Sequence, residues 1–217
     1  MSITRGRCIT GLARILVGLF ALTVIIIQIT DRVLHDAFDP SEYFSYFTIQ
    51  SILITIVVLL VGGWMALTRA EDTVLYTAVR LGVVAYAIVT AGVYNLLLRS
   101  VPYEGYQGIA WLNEAEHVWL PVFVVLDWLF SPGRPRLPFR AMFVAVVYPL
   151  AWLAYTLVRG VFFTGEYPYP FLDPANDGWG SVTIYIVALS AFILVIAALG
   201  VVYSRMRARR VSDEVRG

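Results

Sequence analysis

The sequence contains no lysine, a single cysteine and two histidines, and charged residues make up only 14% of it. One thiol, Cys8, excludes an internal disulfide and a thiolate metal site. With 59% hydrophobic residues and a mean hydropathy of +0.76, the 217-residue chain lies outside the range of soluble domains. The composition indicates a membrane protein, and we expect no nucleic-acid partner.

The hydrophobic residues form six continuous runs, each long enough to cross a bilayer. Continuous rather than alternating runs favour helices over a barrel. We therefore predict an all-α polytopic protein, in which residues 1–217 form one domain of six transmembrane helices. The length of the first run and the lack of a small-residue cleavage site favour a retained anchor over a signal peptide. The predicted helices span residues 12–30, 43–67, 74–98, 111–130, 139–160 and 181–203.

Arginine alone sets the predicted orientation, because lysine is absent. An even number of spans places both termini on one side. Only three of the 16 basic residues, Arg32, Arg99 and Arg159, fall on the opposite side. By the positive-inside rule both termini are predicted to be cytoplasmic. Arginine without lysine suits a GC-rich bacterial genome, so we expect a bacterial inner-membrane protein.

The last predicted outer loop, residues 161–180, is rich in proline and aromatic residues. Its run Tyr167-Pro168-Tyr169-Pro170 is incompatible with a helix, since each proline biases the preceding residue towards an extended conformation. Two interpretations stay open. The segment either covers the outer mouth of the bundle or forms an interfacial aromatic belt.

Polar side chains from three predicted helices fall at one depth in the outer leaflet. Polar residues in membrane helices are costly and mark functional sites by default. At 100° per residue, four of them form a stripe on the second helix. The set comprises Ser45, Thr48, Ser51 and Thr55 on helix 2, Thr90, Tyr94 and Asn95 on helix 3, and Asn113, Glu114, Glu116 and His117 on helix 4.

Three interpretations of His117 compete. Glu114 and His117 form an E-x-x-H pair, but a di-metal site needs a second such pair. Bis-histidine ligation of a haem would need both histidines of the sequence, His35 and His117. We therefore expect no metal and no cofactor. Alternatively, His117 is the general base for a threonine nucleophile, oriented by Asn113 or Glu114. In a purely structural role, threonines would bond to their own helix and His117 would bond across the bundle.

Two short motifs give the chain a family resemblance. The stretches YFTIQS (Tyr46–Ser51) and NEAEHVWLP (Asn113–Pro121) resemble motifs of the androgen-induced and androgen-dependent membrane protein family. That family includes threonine hydrolases that cleave fatty-acid esters of hydroxy fatty acids (FAHFA). The resemblance implies that Thr48 is the nucleophile and His117 the base. Six-span bacterial relatives with a Tyr-Pro-rich last outer loop look closer, and Tyr167–Pro174 fits that pattern.

The sequence departs from the animal members in one respect. Where they tend to have a second histidine after the asparagine, this chain has Glu114, and Glu116 adds a further acid beside the base. The threonine and the histidine are retained, so the resemblance still implies ester hydrolysis. The resemblance does not identify the substrate, since a bacterium need not contain the same lipids as an animal.

Together these observations predict a threonine-type hydrolase of lipid esters whose pocket faces the outer leaflet. Membrane lipids and a lipid ester are the expected partners, and the oligomeric state is left open. Asn95 or Asn113 is the expected oxyanion donor, and Ser45 and Tyr94 are supporting residues. The alternative is a small transporter or channel in which His117 and nearby carboxylates handle protons or a cation. A structural or partner-binding protein is a third possibility.

The predicted topology can be tested with single cysteines. In a Cys8→Ser background, Ser41→Cys lies in the first outer loop and Ala208→Cys lies near the C-terminus. An impermeant maleimide added to intact cells should label only the cysteine at position 41. Labelling at position 208 but not at position 41 would reverse the orientation and move the site to the other leaflet.

Overall fold

The computed structural model describes residues 3–101 and 105–214, with side chains up to residue 207. Two parts of the topology prediction, residues 102–104 of the second outer loop and Arg216, lie outside the described residues. Within them, regular structure is helical throughout. The α-helices are α1 (Arg5–Leu34), α2 (Pro40–Tyr43), α3 (Phe47–Thr68), α4 (Val74–Val93), α5 (Ala110–Glu114), α6 (Leu120–Phe130), α7 (Val144–Arg159) and α8 (Pro174–Glu214).

Five helical segments are long and apolar enough to cross a membrane. Two of them include helical turns of other pitch: a π-helical turn, Tyr94–Leu98, extends α4, while a 3₁₀ turn, Phe139–Phe143, precedes α7 and a π-helical turn, Gly160–Thr164, follows it. A further π-helical turn, Ala115–Trp119, joins α5 to α6. The prediction of an all-α fold with several helices long and apolar enough to span a membrane is therefore confirmed. The segments are Arg5–Leu34, Phe47–Thr68, Val74–Leu98, Phe139–Thr164 and Pro174–Arg207.

Helix boundaries differ from the predicted ones where polar residues control the backbone. The first helix begins seven residues early, because the Thr4 hydroxyl accepts a hydrogen bond from the Arg7 N–H and caps it. The last helix runs from Pro174, with a kink at Gly178, whose φ of 76° favours glycine. Both extensions are polar, and a hydropathy pattern does not detect them.

The predicted second helix, 43–67, is two helices. The Asp39 carboxylate caps the short helix α2, and the chain then breaks before Tyr46, which is extended with φ −67° and ψ 132°. Ser45 lies in this break, so the predicted stripe that placed it on one helix with Thr48 is wrong. The remaining stripe residues, Ser51 and Thr55, do lie on α3.

Helices α3 and α4 form the centre of the bundle, since about half of each apolar stretch is buried. The first helix packs closely along α3 through glycines. A Cβ atom at Gly11 would lie only 2.9 Å from the Gly63 carbonyl oxygen. Small residues that let two backbones approach are a common basis of helix association in membranes.

Buried arginines and aspartates form an ion network at one end of the bundle. Arg7 contacts Asp72 at 2.7 Å, Arg14 contacts Asp127 at 3.0 Å, and Arg80 contacts Asp127 at 2.7 Å. The side chains are no more than 6% exposed. The network joins α1, the α3–α4 loop, α4 and α6. Breaking such a pair leaves an uncompensated buried charge, so the network fixes the relative positions of these elements.

Removing one carboxylate of the network should therefore destabilise the protein strongly. Asp127→Ala leaves Arg14 and Arg80 without their nearest anion, and we expect a loss of about 3–5 kcal/mol. Thermal unfolding in detergent measures it. Glu71→Ala is the matched control, because Glu71 is an exposed acid one residue before Asp72, and its effect should stay within about 0.5 kcal/mol. Equal melting temperatures for the two variants would contradict the role of the network.

Candidate functional site

A cavity of about 1520 Å³ opens at the end of the bundle opposite the ion network. One part of its wall is polar and comes from α1, α3, α5 and the π-helical turns. The other part is apolar and comes from α7 and α8, where Leu150, Leu153, Leu189 and Ile193 line it. The volume exceeds the range of about 300–1000 Å³ typical of drug-sized ligands. The cavity can therefore hold a large amphiphile with one polar part.

His117 projects into this cavity from the π-helical turn between α5 and α6. Such turns often occur at functional sites. The imidazole is 8% exposed, and its Nδ1 lies 2.9 Å from the Asn113 carbonyl oxygen. Because a carbonyl only accepts, Nδ1 donates this hydrogen bond. The lone pair of neutral His117 is then on Nε2, which makes no hydrogen bond to any described residue and is available to a ligand.

A second π-helical turn, Tyr94–Leu98, holds the first one in place. The rings of Tyr94 and His117 stack with centroids 4.0 Å apart. The Asn95 amide donates to the His117 carbonyl oxygen at 3.3 Å and to the Ala91 carbonyl oxygen at 2.9 Å. These contacts fix the imidazole on the cavity wall.

Thr48 lies in the first turn of α3 and also lines the cavity. A residue from outside the helix caps this terminus: the Tyr169 hydroxyl accepts a hydrogen bond from the Thr48 N–H at 3.4 Å and lies 3.4 Å from the Thr48 Oγ1. The free N–H groups of a helix N-terminus carry partial positive charge and attract anions. Thr48 thus combines a hydroxyl with a site suited to developing negative charge.

Tyr169 comes from the proline-rich loop and closes the cavity over Thr48. Its ring packs against Trp152 and Phe171, with centroids 5.9 and 5.2 Å away. Burial raises the pKa of the Tyr169 phenol, and the hydrogen bonds from Thr48 oppose this only in part. The phenol stays protonated at neutral pH. Residues 167–173 line the cavity, in agreement with the interpretation of this loop as a cover.

The structure brings five of the seven predicted site residues to one cavity: Tyr94, Asn113 and Glu114 join Thr48 and His117. Among the described residues, no hydrogen bond joins Thr48 to His117. The Asn113 amide donates to the Tyr94 hydroxyl, and Glu114 pairs with Arg99. These contacts place Asn113 and Glu114 as supports of the wall.

The other two predicted residues do not line the cavity. The Ser45 hydroxyl donates to the Glu42 carbonyl oxygen at 2.6 Å, and Asn95 uses its amide on backbone carbonyls. Likewise, Ser51 and Thr55 donate to carbonyls of their own helix, as a structural role predicts. The polar layer predicted from sequence therefore divides into cavity residues and residues that satisfy backbone groups.

Sequence reasoning gave no role to three cavity residues, Gln28, Tyr43 and Tyr169. Gln28 carried a detectable signal, since it is an isolated amide in the apolar run IIIQIT of α1. Tyr169 was placed only in the covering loop, and its contact with Thr48 depends on how that loop folds back. Tyr43 gave no signal, because tyrosine is common at membrane interfaces.

The described residues contain no group of three or more His, Cys, Asp or Glu side chains placed to hold a metal ion.

The chain matches no protein family, no curated protein and no solved structure. Its function must therefore be inferred from the cavity and from the two short motifs.

Proposed function

We propose that this protein is a membrane-embedded hydrolase of lipid esters, related to the androgen-induced and androgen-dependent membrane protein family. In this proposal Thr48 is the nucleophile and His117 the general base. The supporting observation is that a threonine in the first turn of a helix and a histidine with a free Nε2 line one cavity that is apolar beyond them. A lipid ester has the matching polarity, and FAHFA-like lipids are among the candidate substrates.

The proposed topology places this cavity in the outer leaflet of a bacterial inner membrane. Residues 110–130, continuous through the π-helical turn, are the sixth span beside the five long apolar helices. At 1.5 Å per residue this helix is about 30 Å long, which matches the hydrocarbon core. With six spans, the arginine distribution supports a cytoplasmic location for both termini.

The reaction follows from the two side chains. A lipid ester enters from the bilayer, and its carbonyl carbon is attacked by Thr48 Oγ1 while His117 Nε2 takes the hydroxyl proton. The tetrahedral intermediate collapses, the ester C–O bond breaks, and His117 returns the proton to the leaving alcohol. Water then hydrolyses the acyl-threonine with His117 again acting as base. The Thr48–His117 contact forms in the substrate complex, since catalytic hydrogen bonds often tighten only there.

Tyr169 is better supported as the oxyanion donor than the asparagines expected from sequence. The amides of Asn95 and Asn113 already donate to a backbone carbonyl and to Tyr94, respectively. The Tyr169 hydroxyl lies 3.4 Å from the Oγ1 of the nucleophile and accepts a hydrogen bond from the Thr48 N–H in the first turn of α3. A buried, protonated phenol and helix N–H groups stabilise negative charge in a low-dielectric site.

The transporter alternative requires a polar path to the opposite side. The residues that line the cavity do not include the ion network, and Asp127, the acid that such a path would use, is paired with Arg14 and Arg80. A one-sided cavity favours hydrolysis over transport.

The catalytic assignment predicts how four variants differ. Thr48→Ala removes the nucleophile and His117→Ala the base, and each should lower ester hydrolysis by at least about 10⁴-fold. The double variant should be little worse than either single one, because the two residues act as one unit. Thr48→Ser keeps a hydroxyl and should retain activity. Purified proteins are assayed on a panel of lipid esters, with melting temperatures measured in parallel.

A purely structural role predicts a different result for the same panel. Activity would then follow the amount of folded protein, and Thr48→Ser would offer no advantage over Thr48→Ala. Hydrolysis that persists in folded Thr48→Ala protein would refute the nucleophile assignment. Proton or cation flux into proteoliposomes, with no ester cleaved, would favour the transporter alternative.

The oxyanion assignment predicts a selective effect of Tyr169→Phe. The variant keeps the ring and its aromatic contacts but removes the hydroxyl, so turnover should fall by about 10²–10³-fold with little change in melting temperature. Tyr167→Phe is the matched control, because Tyr167 lines the cavity from the same loop but makes no hydrogen bond to a described residue. Equal turnover in the two variants would remove Tyr169 from the reaction.

A further inference from the structure

A buried carboxyl group on the cavity wall lacks the partners that such a group needs. Glu116 is 4% exposed, and its Oε2 accepts a hydrogen bond of 3.4 Å from the Gln28 amide. Its Oε1 is buried without any hydrogen-bond partner, and Glu116 makes no ion pair within the described part of the chain. Buried polar atoms are almost always hydrogen-bonded, and a buried charge is normally paired.

The side chains around Glu116 form a polar corner of the cavity. The Tyr43 hydroxyl donates to the side-chain oxygen Oε1 of Gln28 at 2.5 Å, so the NH₂ of the Gln28 amide faces Glu116. Gln28, Tyr43 and Glu116 come from α1, α2 and the π-helical turn next to His117, and all three line the cavity. This corner offers acceptor capacity at Glu116 Oε1, while the Tyr43 hydroxyl and one N–H of the Gln28 amide already donate within it.

The charges that line the rest of the cavity reinforce this corner. Its described lining residues include four carboxylates, those of Asp31, Glu114, Glu116 and Asp173, against two arginines. One arginine, Arg99, is paired with Glu114. The other, Arg32, lies over the Tyr43 ring at 5.7 Å and does not pair with Glu116. A ligand bearing a free carboxylate would meet like charge here, which is unfavourable in a low-dielectric site.

We propose that the Glu116 corner, formed by Gln28, Tyr43 and Glu116, binds the head group of an amphiphile that donates hydrogen bonds, namely a hydroxyl or an ammonium group. The inference rests on the proposed lipid-binding function of the cavity but not on turnover. It narrows the candidate substrates: acyl esters of polyols or of amino alcohols fit the corner, whereas lipids with a free carboxylate, FAHFA among them, do not. An ammonium group would also pair with the Glu116 carboxylate and stabilise its ionised form.

Three amphiphiles with one common chain test the proposal by binding alone. Palmitylamine, monopalmitoylglycerol and palmitic acid are titrated against the purified protein in detergent, and affinities are taken from the ligand-dependent rise in melting temperature. The amine and the glycerol ester should bind at least about tenfold more tightly than the acid, the ratio expected for one charge-assisted hydrogen bond. Binding of palmitic acid as tight as that of the other two would overturn the proposal.

Two variants test whether Glu116 is the residue responsible for any preference for palmitylamine. Glu116→Gln conserves the shape of the side chain and removes its charge, so the affinity for palmitylamine should fall roughly tenfold. Asp173→Asn is the control, since it removes another acid that lines the cavity. Asp173 caps the N-terminus of α8 by accepting a hydrogen bond from the Ala175 N–H at 2.8 Å, and asparagine can keep this cap. The control should keep the preference. An unchanged amine affinity in Glu116→Gln would also overturn the proposal.

The outcome separates this inference from the proposed reaction. Amine-selective binding in a protein that cleaves no ester would sustain the Glu116 corner and refute the hydrolase. Hydrolysis combined with a preference for lipids that carry a free carboxylate would refute the corner and leave the hydrolase in place.

Discussion

The buried ion network at one end of the bundle is the constraint on which the rest of the structure depends. Hydrocarbon offers charges neither water nor counterions, so Arg14 and Arg80 must share the two aspartates, Asp72 and Asp127, that the fold brings to them. Because these residues come from α1, α4, α6 and a loop, satisfying them fixes the ends of three helices at once. The opposite ends are then free to separate and to enclose a cavity.

The cavity is formed where regular helix geometry is relaxed. Two π-helical turns, Tyr94–Leu98 and Ala115–Trp119, face each other there, and a stacked Tyr94–His117 pair and an amide from Asn95 join them. Each π-turn redirects side chains that a continuous α-helix would place elsewhere. The proline-rich loop is the third element that forms the cavity, and it brings Tyr169 to the start of α3. The ion network thus holds one end of the bundle rigid, while the π-turns and the proline-rich loop form the irregular end that encloses the cavity.

Much of this arrangement was predictable from sequence, for reasons that particular residues make clear. The length of each apolar run predicts a spanning helix, and isolated polar residues such as Thr48 and His117 stand out against it. Other features were not predictable. Hydropathy does not register the break at Ser45, which depends on the Asp39 cap, or the π-turns, which depend on packing between helices. Asp127 has the same appearance in sequence whether it conducts protons or pairs with Arg14 and Arg80.

Covalent labelling tests most directly whether Thr48 is a nucleophile activated by His117, as we propose. A fluorophosphonate that carries an alkyl chain reacts covalently with an activated hydroxyl, and peptide mass spectrometry locates the adduct. We expect one adduct, on Thr48, that is lost in folded Thr48→Ala protein and suppressed in His117→Ala. No adduct on folded wild-type protein, or an adduct on a residue outside the cavity, would contradict the catalytic assignment.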